Sequence, residues 1–569
     1  MEVFDRRQHG VAYTPPVLVG ECAGMVLAAR PDATTFLDPA CGDGNFLAWL
    51  AEHVPGAVLF GVEIDPDAAA RARRRVPQAT IVCGDALAMS WQELAGSRAV
   101  VVGNPPFVGN SWQTPLQRQQ LLGLCGRMGH LDFAAAFVAK AAREQLPAGL
   151  VLPASMSRGT QARLWERVEI DFARRPQPWP GPEDVEVVVV GFGFGTPTKR
   201  LISGQQETRP AHINGFLLPF NSRLQPARRP GPTVCYGNQI VDGGRWLFTG
   251  QQRHDFLAAE PGAQFTPWVD GQTLLAARPA DDGTVDMSGF RWLLLGGRTP
   301  GLPLVAERNE QVAQYRARSS SKATRQLAAD RFASTFVPKQ TYVGVPGVSS
   351  RRRIALPAVF LPAQVMPSNK VFAVPGGGLY EMGVMSSRLF WVWLKHVAGV
   401  LEDRVSFSIT VYDAFPWPAS SDGRQKVAGA MRQVLAARDP HRTLGDQYLD
   451  PSPALSAAHR LLDEAVAECY KLPVGLSDDQ LIEALWMLSA GQPIEEWLAG
   501  VTNPPQPPAA QARRQVVWLP VAQGPAVRVV AVRVWAGVAR GPPPRRSRLS
   551  GLTVGRDVCG CSRRARVVA

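Results

Sequence analysis

Asp38-Pro39-Ala40-Cys41-Gly42-Asp43-Gly44-Asn45-Phe46 leaves an apolar strand ending Phe36-Leu37-Asp38, turns through two glycines and enters a helical segment, Phe46 to His53. Glycine at 42 and 44 lets backbone N–H groups approach a bound cofactor with no Cβ in the way. Working outward, Leu59 to Glu63, Thr80 to Cys83 and Ala99 to Gly103 read as three further strands separated by helical segments. A polar or special residue closes each of the four units: Asp38, Glu63, Asp85 and Asn104. This pattern predicts an α/β sheet whose ligands gather at the carboxyl ends of parallel strands. Gly149 to Leu152 and Val185 to Gly191 read as later buried strands, with a helix over Leu131 to Glu144 before them.

Glu63 follows Gly42 by 21 residues at the end of the second strand, where an acid can accept hydrogen bonds from both ribose hydroxyls. Asp85 can reach the amino group of the cofactor's adenine. These features alone would also suit a dinucleotide enzyme, but the fourth strand decides against that reading. It ends in Asn104-Pro105-Pro106-Phe107. Two prolines stiffen the turn and set the Asn carboxamide and the Pro105 carbonyl side by side as acceptors. An exocyclic NH2 on an aromatic ring is a poor nucleophile because its lone pair is delocalised. With both N–H bonds directed at those acceptors, the lone pair can be aimed at an electrophilic methyl group, and Phe107 supplies a face for the planar substrate.

Composition limits the remainder. The chain has 569 residues, 46% hydrophobic and 19% charged, an ordinary globular balance that argues against a disordered or coiled-coil protein. There is no apolar leader and no run of apolar residues long enough for a membrane span, so a cytoplasmic protein without membrane partners is expected. Eight scattered cysteines contain no CxxC pair, and the eight histidines form no metal-ligand spacing; no metal is expected. The net charge of +13 lies mostly in the tail, where residues 503–569 hold twelve arginines against one acid, Asp557. The more informative excess is central: residues 291–418 carry sixteen Lys and Arg against seven Asp and Glu, which suits a polyanionic partner.

The order Tyr13-Thr14-Pro15-Pro16, then DPACGDGNF, Glu63-Ile64-Asp65, Gly84-Asp85 and NPPF resembles the amino-group DNA methyltransferases that use S-adenosyl-L-methionine. Asn at the head of the tetrapeptide implies adenine N6 rather than cytosine N4. Longer segments are similar to the MmeI-like, type IIL restriction-modification enzymes: Asn104 to Gly109, Leu131-Asp132-Phe133, Val188 to Phe192, Tyr236-Gly237-Asn238 with Asp242-Gly243-Gly244, Val348 to Arg352, and Phe415-Pro416-Trp417-Pro418. The resemblance covers residues 9 to 490. It implies a Rossmann-like class I S-adenosylmethionine-dependent methyltransferase domain over 1–204 and a mixed α/β target-recognition domain over 205–420. A small helical region over 421–502 and a weakly structured Pro/Arg-rich tail over 503–569 complete the expected organisation.

Carried onto this chain, the resemblance places the cofactor among Tyr13, Thr14, Pro15, Asp38, Pro39, Ala40, Gly42, Gly44, Asn45, Phe46, Glu63, Ile64, Asp85 and Ala86. It makes Asn104, Pro105, Pro106 and Phe107 the pocket for an adenine flipped from double-stranded DNA. Lys370, Glu402 and Arg404 are the candidates for reading base edges, while Arg351, Arg352 and Arg353 are expected on phosphates. The family's N-terminal nuclease has a PD…ExK constellation, but neither Pro31-Asp32 nor Pro66-Asp67 is followed by a suitable ExK. No nuclease activity is expected. A modification-only enzyme, a subunit served by a separate nuclease or defence-system protein, and a truncated remnant all fit. Methylation of RNA or of a protein glutamine, and a DNA-binding specificity protein that has lost catalysis, are the alternatives in function.

Overall fold

The computed structural model describes residues 13–502, except 182, 184, 229–230, 296–300, 402–403 and 419–422, together with the strands 515–521 and 528–534. The chain divides into two compact units, Met1–Ile494 and Glu495–Ala569.

The first unit begins with α1 (Pro16–Ala29), β1 (Thr35–Asp38), α2 (Asn45–His53), β2 (Val58–Glu63), α3 (Pro66–Arg75), β3 (Thr80–Cys83), α4 (Trp91–Ala95) and β4 (Val100–Gly103). It continues with α5 (Pro115–Cys125), α6 (Ala134–Arg143), β5 (Ala148–Pro153), β6 (Ile170–Pro178), β7 (Glu186–Phe192), β8 (Arg200–Ser203) and β9 (Gln206–Thr208). The nine strands form one sheet in the order β3-β2-β1-β4-β5-β7-β6-β8-β9. Strands β1 to β5 run parallel, and β7 lies antiparallel between β5 and β6. Strand order reverses between β1 and β4, so the crevice at their carboxyl ends is where such a sheet takes its ligand.

Burial on both faces explains the continuous apolar runs. Val188 and Val190 of β7 enter one hydrophobic core with Leu37 and Val101, whereas Val187 and Val189 enter the opposite core with Phe36, Val100 and Val102. The sheet also runs past residue 204, because Gly204, at φ +54°, turns the chain back into β9. The helix expected over Leu131 to Glu144 starts three residues later. Asp132 spends its carboxylate on the Ala134 N–H, 3.0 Å away, so Leu131-Asp132-Phe133 is a tether ahead of α6.

Beyond the large sheet lie two four-stranded sheets and a three-stranded one. The first joins Cys235–Tyr236, Tyr342–Pro346, Val359–Leu361 and Val371–Pro375; the second joins Leu247–Phe248, Phe265–Val269, Arg291–Leu294 and Met366–Pro367. Val348–Ser350, Arg404–Ser406 and Gly399–Leu401 form the third. Trp391 and Trp393 lie buried in the helix Arg388–Val397, where their indole N–H groups donate to the carbonyls of Arg353 and Val411. The helices Arg424–Ala436, Leu444–Leu449, Pro453–Cys469 and Asp478–Ser489 close this unit. Helix Glu495–Thr502 belongs to the second unit, whose strands Gln515–Val521 and Arg528–Val534 pair antiparallel. No helix among the described residues is long and apolar enough to cross a membrane.

Candidate active site and nucleic-acid interface

The glycine loop is built by its neighbours. Glu63, at the end of β2, accepts the Gly42 N–H on Oε2 and the Asp65 N–H on Oε1, both at 2.8 Å. Both bonds hold its carboxylate in the charged form, but burial outweighs them and raises its pKa. Asp38, 1% exposed at the end of β1, accepts the Ala40 N–H at 3.1 Å. Its burial, opposed by that bond and reinforced by nearby Glu63, pushes its pKa up to about 8. Gly44, at φ +87°, serves as N-cap of α2 and is packed against Ala72 and Val76, and Phe46 is buried beneath the loop.

The segment Tyr13-Thr14-Pro15 closes over this loop. The Tyr13 ring lies where a Cβ on Gly42 would meet it at 3.6 Å, and its hydroxyl accepts from Arg71 at 2.8 Å. Asn45 donates to the Thr14 carbonyl at 3.3 Å and accepts from Arg75, which also pairs with Asp43 at 3.3 Å. Arg71 and Arg75, two residues of α3 that sequence reasoning passed over, thus clamp the cover to the loop. Their four-residue spacing on one helix face was the available signal.

Asp85 is more occupied than its sequence position suggests. Its Oδ1 caps the turn at Ala86 through the Leu87 N–H at 2.9 Å, and its Oδ2 accepts from Gln120 of α5 at 2.6 Å. Ile64 stands 55% exposed at the carboxyl end of β2, an apolar lip beside the loop.

Asn104 and Pro106 are half-buried and Pro105 is buried at the end of β4. Gly103 holds φ +155°, and a Cβ there would lie 2.6 Å from Asp38 Oδ1, so the corner and the glycine loop are in contact. Phe107 packs against the cores of both sheet faces and meets Trp179 edge to face, with ring centroids 6.4 Å apart. Asp132 fastens the corner: its Oδ1 accepts the Val108 N–H at 3.2 Å, and the Phe133 N–H donates to the Val108 carbonyl at 3.0 Å. Gln113, 5% exposed, donates to the carbonyls of Val108 and Leu131 at 2.9 and 2.8 Å. Burial raises the Asp132 pKa to about 6, against the two backbone N–H bonds that lower it. Leu131-Asp132-Phe133 carried a family resemblance in sequence, but only the fold shows that it holds the corner.

The base-reading candidates separate. Lys370 is exposed on the turn after Ser368, which is braced by Asn238: this side chain donates to the Phe336 and Pro367 carbonyls at 2.8 and 2.9 Å and accepts the Phe336 N–H at 2.8 Å. Arg404 starts a strand paired with Val348–Ser350, and Glu402 lies outside the described residues. Arg352 is exposed. Arg351 instead pairs with Glu186 of β7, which also holds the buried Arg158 at 2.9 Å. Arg353 is bonded to the Gly445 carbonyl and to Ser349 Oγ, both at 3.3 Å. Of the three adjacent arginines, the fold takes two into its own scaffold.

Two family models match the chain: the MmeI DNA-methyltransferase domain over residues 67–203 and the MmeI target recognition domain over residues 298–419. The solved structure of the type IIL restriction-modification enzyme MmeI in complex with DNA superposes with a TM-score of 0.68 at 25% identity, covering 86% of this chain and 80% of that one. Over these stretches the chain is similar to MmeI. Its sheet is accordingly the Rossmann-like fold of class I methyltransferases, followed by a mixed α/β recognition region. DNA methyltransferase A of Bacillus subtilis is 27% identical over 558 residues, 81% of this chain and 62% of that protein, so the chain spans less than two thirds of this relative. A tRNA1(Val) (adenine(37)-N6)-methyltransferase of Porphyromonas gingivalis is 36% identical over 123 residues, 20% of this chain and 48% of that enzyme.

Proposed function

We propose that this chain is a site-specific DNA methyltransferase that transfers a methyl group from S-adenosyl-L-methionine to N6 of an adenine flipped out of duplex DNA. It would act as the modification part of a restriction-modification or related defence system. The observation that carries this reading is the NPPF corner at the carboxyl end of β4, in contact with the glycine loop through Gly103 and Asp38 and followed by a target-recognition region.

The residues around the loop fit the cofactor. Gly42 and Gly44 keep positive φ, Asp43 Oδ1 is buried without a hydrogen-bond partner, and Ile64 offers an apolar face. Asp38 and Asp43 suit the cationic amino-acid end, Glu63 the ribose hydroxyls, and Ile64, Asp85 and Ala86 the adenine. When bound, S-adenosylmethionine supplies an activated sulfonium methyl group. The chain's own work is positional. Phe107 and the stiff prolines hold the planar base, and the Asn104 carboxamide and Pro105 carbonyl oxygens accept the two N–H bonds of its amine. That directs the nitrogen lone pair along one line and lowers the barrier by orientation and by stabilising the developing positive charge. The departing proton passes to water.

The test is a transfer assay with labelled cofactor on duplex DNA, RNA and protein acceptors, followed by long-read sequencing of host DNA with and without the gene. Methyl-N6-adenine in one short motif is expected. Asn104→Ala should remove at least 1,000-fold of the rate, roughly 4 kcal/mol, while cofactor binding persists. Label entering only RNA or a protein amide would overturn the reading.

A further inference from the structure

A cleft of about 620 Å³ opens between the α5–α6 connection and the short helix Gly159–Arg167, lined by Arg127, Arg163, Arg167, Arg223, Glu166 and Thr160. All four arginines are exposed, and the single carboxylate is already engaged, with Arg223 3.3 Å from Glu166. Four guanidinium groups converging on one concavity repel one another unless an anion enters. Guanidinium forks match phosphate oxygens two at a time and, when exposed, keep their charge across the physiological pH range.

The position of the cleft says which phosphate. On one side the connection runs directly into Leu131-Asp132-Phe133, the tether of the NPPF corner, and the Asp132 N–H donates to Gln161 Oε1 of the wall helix at 2.9 Å. On the other side the start of the same helix abuts the recognition hairpin, since a Cβ on Gly159 would lie 2.8 Å from the Gly399 Cα. One short helix therefore joins the corner to the strands Gly399–Leu401 and Arg404–Ser406. A duplex read at that hairpin and opened at the corner must carry its backbone past this helix.

We infer that the Arg127, Arg163, Arg167 and Arg223 cleft binds phosphodiesters of duplex DNA beside the flipped nucleotide, a DNA contact built mainly from the methyltransferase half. The inference rests on the reading given under Proposed function and adds a phosphate site to it. Phosphate contacts position the duplex without reading sequence, so the site can be tested before any recognition motif is known.

The full chain is titrated with a fluorescent random 30-base-pair duplex, and with single-stranded RNA of the same length, from about 50 to 300 mM KCl. Such binding is governed by counterion release, with a slope of about 0.9 per phosphate neutralised. The triple variant Arg127→Ala, Arg163→Ala, Arg167→Ala should bind the duplex about tenfold or more weakly at about 100 mM salt and lose about two to three units of slope. The triple lysine variant should recover most of that slope. Retained binding of S-adenosylmethionine by the alanine variant shows that it is folded; should it not be, single substitutions costing about one unit each carry the same test. An unchanged duplex slope beside intact plasmid methylation by the wild type would overturn the cleft and leave the methyltransferase standing. A wild type that neither binds the duplex nor methylates DNA would bring down both. Loss confined to the RNA titration would assign the cleft to another nucleic acid and also overturn the inference.

Discussion

The NPPF corner and the recognition region are assembled by opposite means. In the corner, Asp38 and Glu63 sit at the ends of parallel strands and, like Asp132 ahead of α6, are held by backbone N–H groups: Glu63 by Gly42 and Asp65, Asp38 by Ala40, Asp132 by Val108 and Ala134. In the recognition region, side chains alike in sequence meet different fates. Arg351 is taken by Glu186, Arg353 by Gly445 and Ser349, while Arg352 and Lys370 remain exposed. The comparison teaches that a strand end dictates where its polar residue goes, whereas an arginine in a loop takes its role from whatever packs beside it.

After the loss expected for Asn104→Ala, the largest effect tests the corner's dependence on its backbone bonds. Asp132→Ala should cut kcat about 100-fold, near 3 kcal/mol, by releasing the Val108 and Ala134 N–H groups. Asp132→Asn keeps the Oδ1 acceptor and should recover most of the rate. Equal losses in both variants, read from single-turnover kinetics, would show that the carboxylate's charge matters and not its geometry.

Next in size, Glu186→Ala should destabilise the fold by about 2 kcal/mol, less than a fully buried pair would cost because the glutamate keeps partial solvent contact. It strands Arg158, which is 4% exposed and already held down to about 10 in pKa by burial and by Arg351. Urea unfolding measures this. Arg351→Ala, by contrast, should leave the salt slope of DNA binding unchanged; a drop of a full unit would return Arg351 to the phosphate contacts. For Lys370→Ala, relaxed discrimination at one base pair worth about 1 to 3 kcal/mol is expected, read by sequencing the modified sites. Uniform weakening over all sequences would make it a phosphate ligand.

The last expected effect is one of pH. Folded Asp38 keeps its proton up to about 8, whereas the unfolded chain releases it near the ordinary aspartate value of about 4. Between these values the folded state binds more protons, so the stability of the cofactor-free protein falls as pH rises through that window and levels off above it. Asp38→Asn should flatten this part of the profile. Wild type and variant tracking each other in urea midpoints from pH 5 to 8 would contradict the burial.

Much of the methyltransferase half was legible because alternating core residues and strand-end chemistry are local. Val187 to Val190 announce a strand buried on both faces, and NPPF announces a stiff turn wherever it folds. Less legible were the contacts that cross the chain, such as Asp132 to Val108, Gln120 to Asp85 and Arg71 to Tyr13, since nothing in their own neighbourhoods marks them. The start of α6 was misjudged for that reason: Leu131-Asp132-Phe133 has helical spacing, but the tether it makes to the corner delays the helix until Ala134.

The amino-acid order alone determined the doubly wound sheet, the glycine loop and the stiff NPPF turn at the end of β4, because backbone periodicity and proline stiffness act over a few residues. Only the tertiary structure decided which arginines remain available to a polyanion. A guanidinium pairs with whichever carboxylate or carbonyl the fold brings within reach, and Glu186 lies 165 residues from Arg351 in the chain.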